Sequence, residues 1–253
     1  VVRPSLALER RLLRAGASSV VGIDEVGRGS LAGPVTVGAA LVTASTRSAP
    51  HGLRDSKLLT AAAREGLVGR LQRWAPTSAV GHASPEEIDT LGLTGALRLA
   101  AVRALTRLDR PIAAIVLDGS HDWLASSADG LPEFPGSHQV TLQVKADQRC
   151  SSVAAASVLA KVARDRLMVQ RAGAEDPYHW CSNKGYAAPE HLAALSVHGP
   201  TAQHRLSWQL PGVGLAALDR IDPRRRRTWR RFADGEQLVM LEPAAEPSPA
   251  EPI

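Results

Sequence analysis

Apolar residues recur along this chain in two periods, and the order in which the periods alternate sketches a fold. Residues 18–26 (SSVVGIDEV) set β-branched residues directly before two acids and read as a strand. Pro34–Thr43 is apolar at nearly every position, as in a strand covered on both faces. Residues 44–57 are polar and read as a loop. Behind Thr60, a good cap, Leu67, Val68, Leu71 and Trp74 recur at helical spacing. Thr77–Ala83 reads as a short strand. Ser84-Pro85-Glu86-Glu87 has the form of a capping box with proline in the first turn, and Leu97, Ala101, Leu105 and Leu108 then share a helical face. Ile112–Leu117 predicts a buried strand ending at Asp118-Gly119, and 119–137 a loop. His138–Val144 alternates, with Val140, Leu142 and Val144 on one face. Ser152–Val169 predicts a long Ala-rich helix, and Pro189 starts another with Leu192 and Leu195.

Five strands with interleaved helices predict an α/β sandwich around a mixed sheet. The expected division is an N-terminal segment (1–17), a main α/β domain (18–172), a C-terminal helical region (173–222) and a tail (223–253). The tail begins as an arginine run and ends rich in Pro, Ala and Glu, a composition of disorder.

Composition narrows the class. At 253 residues, 44% hydrophobic and 22% charged, the chain has the make-up of a globular protein with a sizeable core. No apolar run reaches the ~18 residues of a membrane helix, and the arginine-rich start lacks a signal-peptide core, so a cytoplasmic protein is expected. Cys150 and Cys181 are too few for a disulfide framework, and no CxxC occurs to hold zinc. The net charge of +5 divides unevenly. Six arginines and five acids nearly cancel in the tail, leaving +4 on residues 1–222, which permits a polyanionic partner.

The acids change the picture most. Asp24 and Glu25 lie near the end of the first strand, Asp118 ends the fourth, and Asp147 follows the fifth. Acids at the ends of apolar strands are costly unless solvated, paired or bound to a cation. Four converging carboxylates suit hard divalent ions, and two such ions suit phosphoryl chemistry. Blander readings compete. A single strand-end acid is commonly a turn former, and Asp147 stands where it would cap a helix beginning at Ser151 or Ser152. Adjacent strand residues face opposite ways, so for Asp24 and Glu25 to act together the strand must bulge or end there, or Glu25 must reach round. Lys161 and Asp165 are spaced for a structural ion pair. Arg149 and a helix start beside Cys150 would lower a thiol pKa, though an incidental thiol is the simpler expectation. The histidines include no HExxH pair, and His191 and His204 are expected to hold the C-terminal region together.

Asp24-Glu25-Val26-Gly27-Arg28-Gly29 and Leu31-Ala32-Gly33-Pro34-Val35 resemble the hallmark of the type 2 ribonucleases H, the ribonuclease HII family. Further blocks follow in order: Asp55-Ser56-Lys57, Leu117-Asp118-Gly119, Lys145-Ala146-Asp147, residues 154–162 with Arg164-Asp165, Gly185-Tyr186 with His191, and His204-Arg205. The resemblance spans roughly residues 18–210. It implies a ribonuclease H-like fold: a mixed five-stranded sheet flanked by helices, with a C-terminal helical extension that completes the substrate site.

The same resemblance implies the chemistry. Asp24, Glu25, Asp118 and Asp147 take the family's catalytic, metal-binding positions for two divalent ions, Mg²⁺ or Mn²⁺. Gly27, Arg28 and Gly29 match the segment that meets the ribose at an RNA–DNA junction. Close approach of a glycine backbone suits reading of the 2′-OH. Tyr186 matches the tyrosine that stacks on the next sugar, and Lys57 and Lys184 are candidates for phosphates. The implied activity is endonucleolytic hydrolysis of RNA in RNA·DNA hybrids and cutting 5′ of ribonucleotides embedded in duplex DNA, by a monomer without membrane contact. The alternatives are a catalytically silent nucleic-acid-binding protein of the same fold, and a same-fold nuclease acting on DNA junctions or RNA. Three departures stand out: Ala188 where the family commonly has Thr, Gln148-Arg149-Cys150 after Asp147, and Trp208 where Phe is frequent.

Overall fold

The structure, a computed structural model, describes residues 3–125, 139–211 and 213. The expected tail and most of the expected loop 119–137 lie outside the described residues.

The sheet has five strands: β1 (Val20–Val26), β2 (Val35–Val42), β3 (Ser78–Ala83), β4 (Ala114–Asp118) and β5 (Gln139–Gln143), in the order β3-β2-β1-β4-β5. β1 and β2 pair antiparallel, as do β2 and β3, while β1–β4 and β4–β5 are parallel. The parallel half places the C-terminal ends of β1, β4 and β5 together, where sites gather in α/β sheets.

Period-two alternation sorts the two faces. Val21 and Ile23 of β1, and Ile115 and Leu117 of β4, enter the core beneath α3 (Pro85–Thr106). Val20, Ala114 and Val116 face the other way, toward Val153 of α5 (Ser151–Ala172). β2 is buried on both faces, as its nearly unbroken apolar run requires. Gly22 lets α5 lie directly on β1, since a Cβ there would stand 2.4 Å from the Ser152 backbone. Between them, α2 (Ala61–Trp74) buries Leu67 and Leu71 against α5. Thr60 caps α2 by accepting from the Ala63 N–H at 3.2 Å, and Ser84 and Glu87 form the reciprocal capping box of α3. α3 changes direction at Gly92, where φ is 69°.

One element differs from expectation, and another had no assigned structure in the sequence. β5 is an edge strand, so Val140 packs on the core while Leu142 remains 39% exposed on the face it was expected to bury. The N-terminal segment forms a helix, α1 (Ala7–Arg14), whose Leu8, Leu12 and Leu13 pack on the core beneath Val20 and Val153. The C-terminal region adds one turn, α6 (Trp180–Asn183), and α7 (Pro189–His198). No described helix is long and apolar enough to cross a membrane.

Candidate functional site

Asp24 lies one step beyond the last β1–β4 pair, Ile23↔Leu117, and Asp118 is the next residue of β4. By parity both side chains take the α5 face. β1 does not bulge: its pairing with β2 runs unbroken through Asp24↔Gly38, Glu25↔Val37 and Val26↔Thr36. Glu25 therefore projects from the opposite face, but one residue from the strand end, and its charge still acts on Asp24. Asp147 sits on a single turn, α4 (Ala146–Arg149), immediately after β5. The Ala146 N–H beside it donates to Asp118 Oδ1 at 2.6 Å, tying that turn to the end of β4.

Burial and crowding of like charge dominate the electrostatics. Asp24 is 6% exposed, and its pKa is raised well above the usual carboxylate range. Burial is the main cause, followed by the charges of Glu25, Asp118 and Asp147, against a hydrogen bond with Ser157. Glu25 is raised by burial and by Asp118, in spite of Arg28, whose Nη1 donates to Glu25 Oε1 at 3.2 Å. Asp147 is pushed up to about 6 by burial, then by Asp118 and Asp55. Clustered, shifted carboxylates of this kind are the electrostatic signature of a candidate functional site.

Two of the residues were not expected in this cluster with their present roles. Asp55, itself buried, is a fifth acid of the cluster. Its Oδ1 accepts from the Lys57 N–H at 2.9 Å, and its Oδ2 from Gln148 Nε2 at 3.3 Å. Its only signal in the sequence was its place in the Asp-Ser-Lys block. Lys57, on the short 3-10 turn Ser56–Leu58, faces the acids. Burial lowers its pKa, but Asp24, Asp55, Asp147 and Asp118 outweigh this and leave it raised.

The Gly27–Pro34 loop is clamped by two buried arginines. Arg164 donates to Pro34 O at 2.9 Å, Ser30 Oγ at 2.7 Å and Lys184 O at 2.9 Å. Arg205 donates to Arg28 O at 2.8 Å and to Gly27 O. Gly27 has φ 88°, and a Cβ there would stand 2.2 Å from Arg164 Nε, so the position admits only glycine. Gly29 by contrast faces open space. Arg164 also lies 5.3 Å from the Tyr186 ring centroid, and Lys161 Nζ 5.7 Å, so the half-buried Tyr186 stands beside the clamp. The motif blocks contain both arginines but give them no role; no local pattern announces that each will meet carbonyls 130 or more residues away.

A histidine chain positions Tyr186 from behind. His191 Nδ1 meets Tyr186 O at 2.8 Å and must donate to it, so its Nε2 is the acceptor for His204 Nε2 at 3.1 Å. His204 Nδ1 in turn accepts from the Thr201 N–H at 2.9 Å. The expected Lys161–Asp165 ion pair is present at 2.6 Å.

Lys184 is placed apart from the acids. Its ammonium donates to Cys181 O, and its side of the chain borders a cavity with Arg64 and Asp165. Cys150 is buried, and burial followed by the charges of Glu9 and Asp118 pushes its thiol up to about 12, outweighing the downward pull of Arg149. Asp147 does not cap α5. Glu9 of α1 does, accepting from the Ser152 N–H at 2.9 Å.

Among the described residues, no three acids, histidines or cysteines stand ready around a metal ion. Asp118 is instead turned to the Ala146 N–H, and Glu25 to Arg28. The donor set nevertheless fits a hard divalent cation: oxygens only, like-charged and wholly or partly buried, with Glu25 Oε2 lacking any hydrogen-bond partner.

A mixed sheet with clustered acids at the ends of its parallel strands defines a ribonuclease H-like fold. Ribonuclease H2 from Pyrococcus horikoshii has a TM-score of 0.57 at 22% identity, covering 86% of this chain and 100% of that one. An RNase HIII in complex with Mn²⁺ has a TM-score of 0.60 at 23% identity, covering 85% and 74%. The family model for Ribonuclease HII matches residues 21–210, and the Ribonuclease HII of Streptomyces avermitilis is 46% identical over 234 residues, 92% of each chain. The chain belongs to the ribonuclease HII family, and is thus an enzyme of a divalent-metal-dependent ribonuclease H class.

Proposed function

We propose that this enzyme hydrolyses RNA in RNA·DNA hybrids and cuts on the 5′ side of ribonucleotides embedded in duplex DNA, leaving 5′-phosphate and 3′-hydroxyl ends. Asp24, Glu25, Asp118 and Asp147 would hold two divalent ions, Mg²⁺ or Mn²⁺. The observation that carries the reading is the crowding of these carboxylates at the ends of β1 and β4 and on the turn after β5, to the point that Asp24, Glu25 and Asp147 resist ionisation. When bound there, such ions would supply Lewis acidity and charge stabilisation for hydrolysis of a phosphodiester.

The chain's own residues do the rest. Asp118, fixed by the Ala146 N–H, holds the turn of Asp147 against β4. Lys57 sets a cation beside the acids and is suited to a phosphate oxygen. Gly27–Gly29 offers backbone at close range, held by Arg164 and Arg205. That is the geometry a 2′-OH reader needs, because only this hydroxyl separates ribose from deoxyribose at a given site. Tyr186 offers a ring face for the adjoining sugar. Lys184, two residues before Tyr186, reaches phosphate only if it leaves the Cys181 carbonyl.

The test is a duplex carrying one ribonucleotide, compared with all-DNA, all-RNA and hybrid duplexes in Mg²⁺ or Mn²⁺. Cleavage of the single-ribonucleotide duplex 5′ of the ribonucleotide, and of the hybrid, is expected, with the all-DNA duplex intact. Asp118→Asn should lose more than the roughly 100-fold typical of an outer-shell ligand partner. No cleavage by the folded protein, or undiminished cleavage by Asp118→Asn, overturns the reading.

A further inference from the structure

Beside the acid cluster, the N-terminal segment and the loop before Asp55 enclose a cleft of about 330 Å³. Arg3, Arg10 and His51 stand around it with the serines Ser5, Ser48 and Ser151, and no carboxylate lines it. Both walls continue into the site. On one wall, the Ser5 N–H donates to Arg149 O at 2.9 Å and the Ser151 N–H to Ser5 O at 3.0 Å, which stitches the N-terminal segment to the chain just after Asp147. The other wall, through Leu53, runs directly into Asp55 and Lys57. Arg3 and Arg10 are exposed, and neither forms an ion pair with a described residue. The neighbouring acid, Glu9, is turned inward onto Ser152.

A nuclease of this design meets a particular difficulty. Its reacting centre is a nest of acids, so attraction of a polyanionic duplex must come from cations around that nest. We propose that the Arg3–Arg10 cleft is a second contact for the sugar–phosphate backbone, engaging a phosphodiester of the bound duplex away from the cleaved one. This rests on the nucleic-acid substrate proposed above. Guanidinium groups suit the paired oxygens of a phosphate, and serine hydroxyls and the His51 ring can complete the donor set. The contact carries no sequence information; it fixes the register of the duplex on the enzyme.

The experiment is equilibrium binding of single-ribonucleotide duplexes in the absence of divalent ions, over about 50 to 200 mM salt. One duplex is long enough to lie over the cleft; the other ends at the acid cluster. The double variant Arg3→Gln/Arg10→Gln should weaken binding of the long duplex and make the slope of log K against log salt shallower by about 1 to 2, roughly 0.9 for each phosphate no longer neutralised. The short duplex should bind both proteins alike, and Arg3→Lys/Arg10→Lys should restore most of the slope. An unchanged slope on the long duplex, or equal weakening on both duplexes, overturns the proposal. Parent enzyme that cleaves its substrate while the slope stays unchanged refutes the cleft alone; parent enzyme that binds with the cleft-dependent slope but does not cleave refutes the activity and leaves the cleft standing.

Discussion

Glu9 Oε1 accepts from both the backbone N–H and the hydroxyl of Ser152, at 2.9 and 2.8 Å, across 143 residues of sequence. This joins the first helix of the chain to the start of the helix that underlies the acid cluster. Glu9 is fully buried, and its other oxygen has no hydrogen-bond partner.

Glu9→Ala should therefore lower the unfolding free energy by about 1–3 kcal/mol, the cost of stranding buried donors. Glu9→Gln keeps the acceptor and removes the charge. Burial raises the Glu9 pKa above its ordinary 4.5, so the native state holds this proton more tightly than the unfolded chain. Its contribution is fully present below 4.5 and is lost as pH rises through the raised value. Urea titrations across that window should show Glu9→Gln gaining on the parent as pH increases. A constant difference between the two proteins would mean that Glu9 does not titrate there.

Arg205 lies beneath the Gly27–Pro34 loop with its guanidinium on the carbonyls of Gly27 and Arg28 and 4.7 Å from the Trp208 ring centroid. Burial, and then the charge of Arg164, push its pKa down to about 9, so it remains a cation at neutral pH. Arg205→Met should cost at least about 3 kcal/mol, since each stranded buried carbonyl costs about 1–3. Arg205→Lys keeps the charge but loses the fork, and should fall between the two. Denaturant midpoints at constant m, with kcat/KM on a single-ribonucleotide duplex, measure both effects; parent-like values for Arg205→Met would show that the loop stands without the clamp.

Much of this was legible in the sequence, for reasons that differ by element. β2 could be read because burial on both faces leaves a nearly unbroken apolar run, and α3 because its capping box is local. Asp24, Glu25, Asp118 and Asp147 could be named from ordered blocks of motif. Glu9, Arg164 and Arg205 could not be assigned roles, because each acts on backbone groups far away in sequence, and nothing local distinguishes a buried arginine from an exposed one. β5 showed the opposite failure: its alternation is real, but an edge strand beside a solvent-facing turn does not bury what the pattern offers.

Acid should loosen the support of Tyr186. His191 accepts at Nε2 from His204 and donates from Nδ1 to Tyr186 O, so it has no free nitrogen for another proton. Burial lowers its pKa from the ordinary 6.5. The unfolded chain therefore takes a proton that native His191 refuses, and this contribution to stability is lost as pH falls from about 6.5 through the lowered value. His191→Gln should be less stable at neutral pH but show a shallower fall over that range. An equally steep fall in the variant would assign the pH dependence to other groups.

Ala188 is the N-cap of α7 and has no side chain to offer. Its φ of −82° and ψ of 154° are those of a capping residue, and Pro189 already occupies the first helical position. The threonine common at this position in the family would here place a hydroxyl over the free N–H groups of the first turn. Ala188→Thr should stabilise the protein by about 0.5–1 kcal/mol through that bond. The gain comes from a local hydrogen bond rather than from core packing, so Ala188→Ser should match it while Ala188→Val, equal in shape to threonine, should not. Thermal unfolding of the three variants separates the cases. If valine stabilises as much as threonine, packing and not capping is what this chain lacks at position 188.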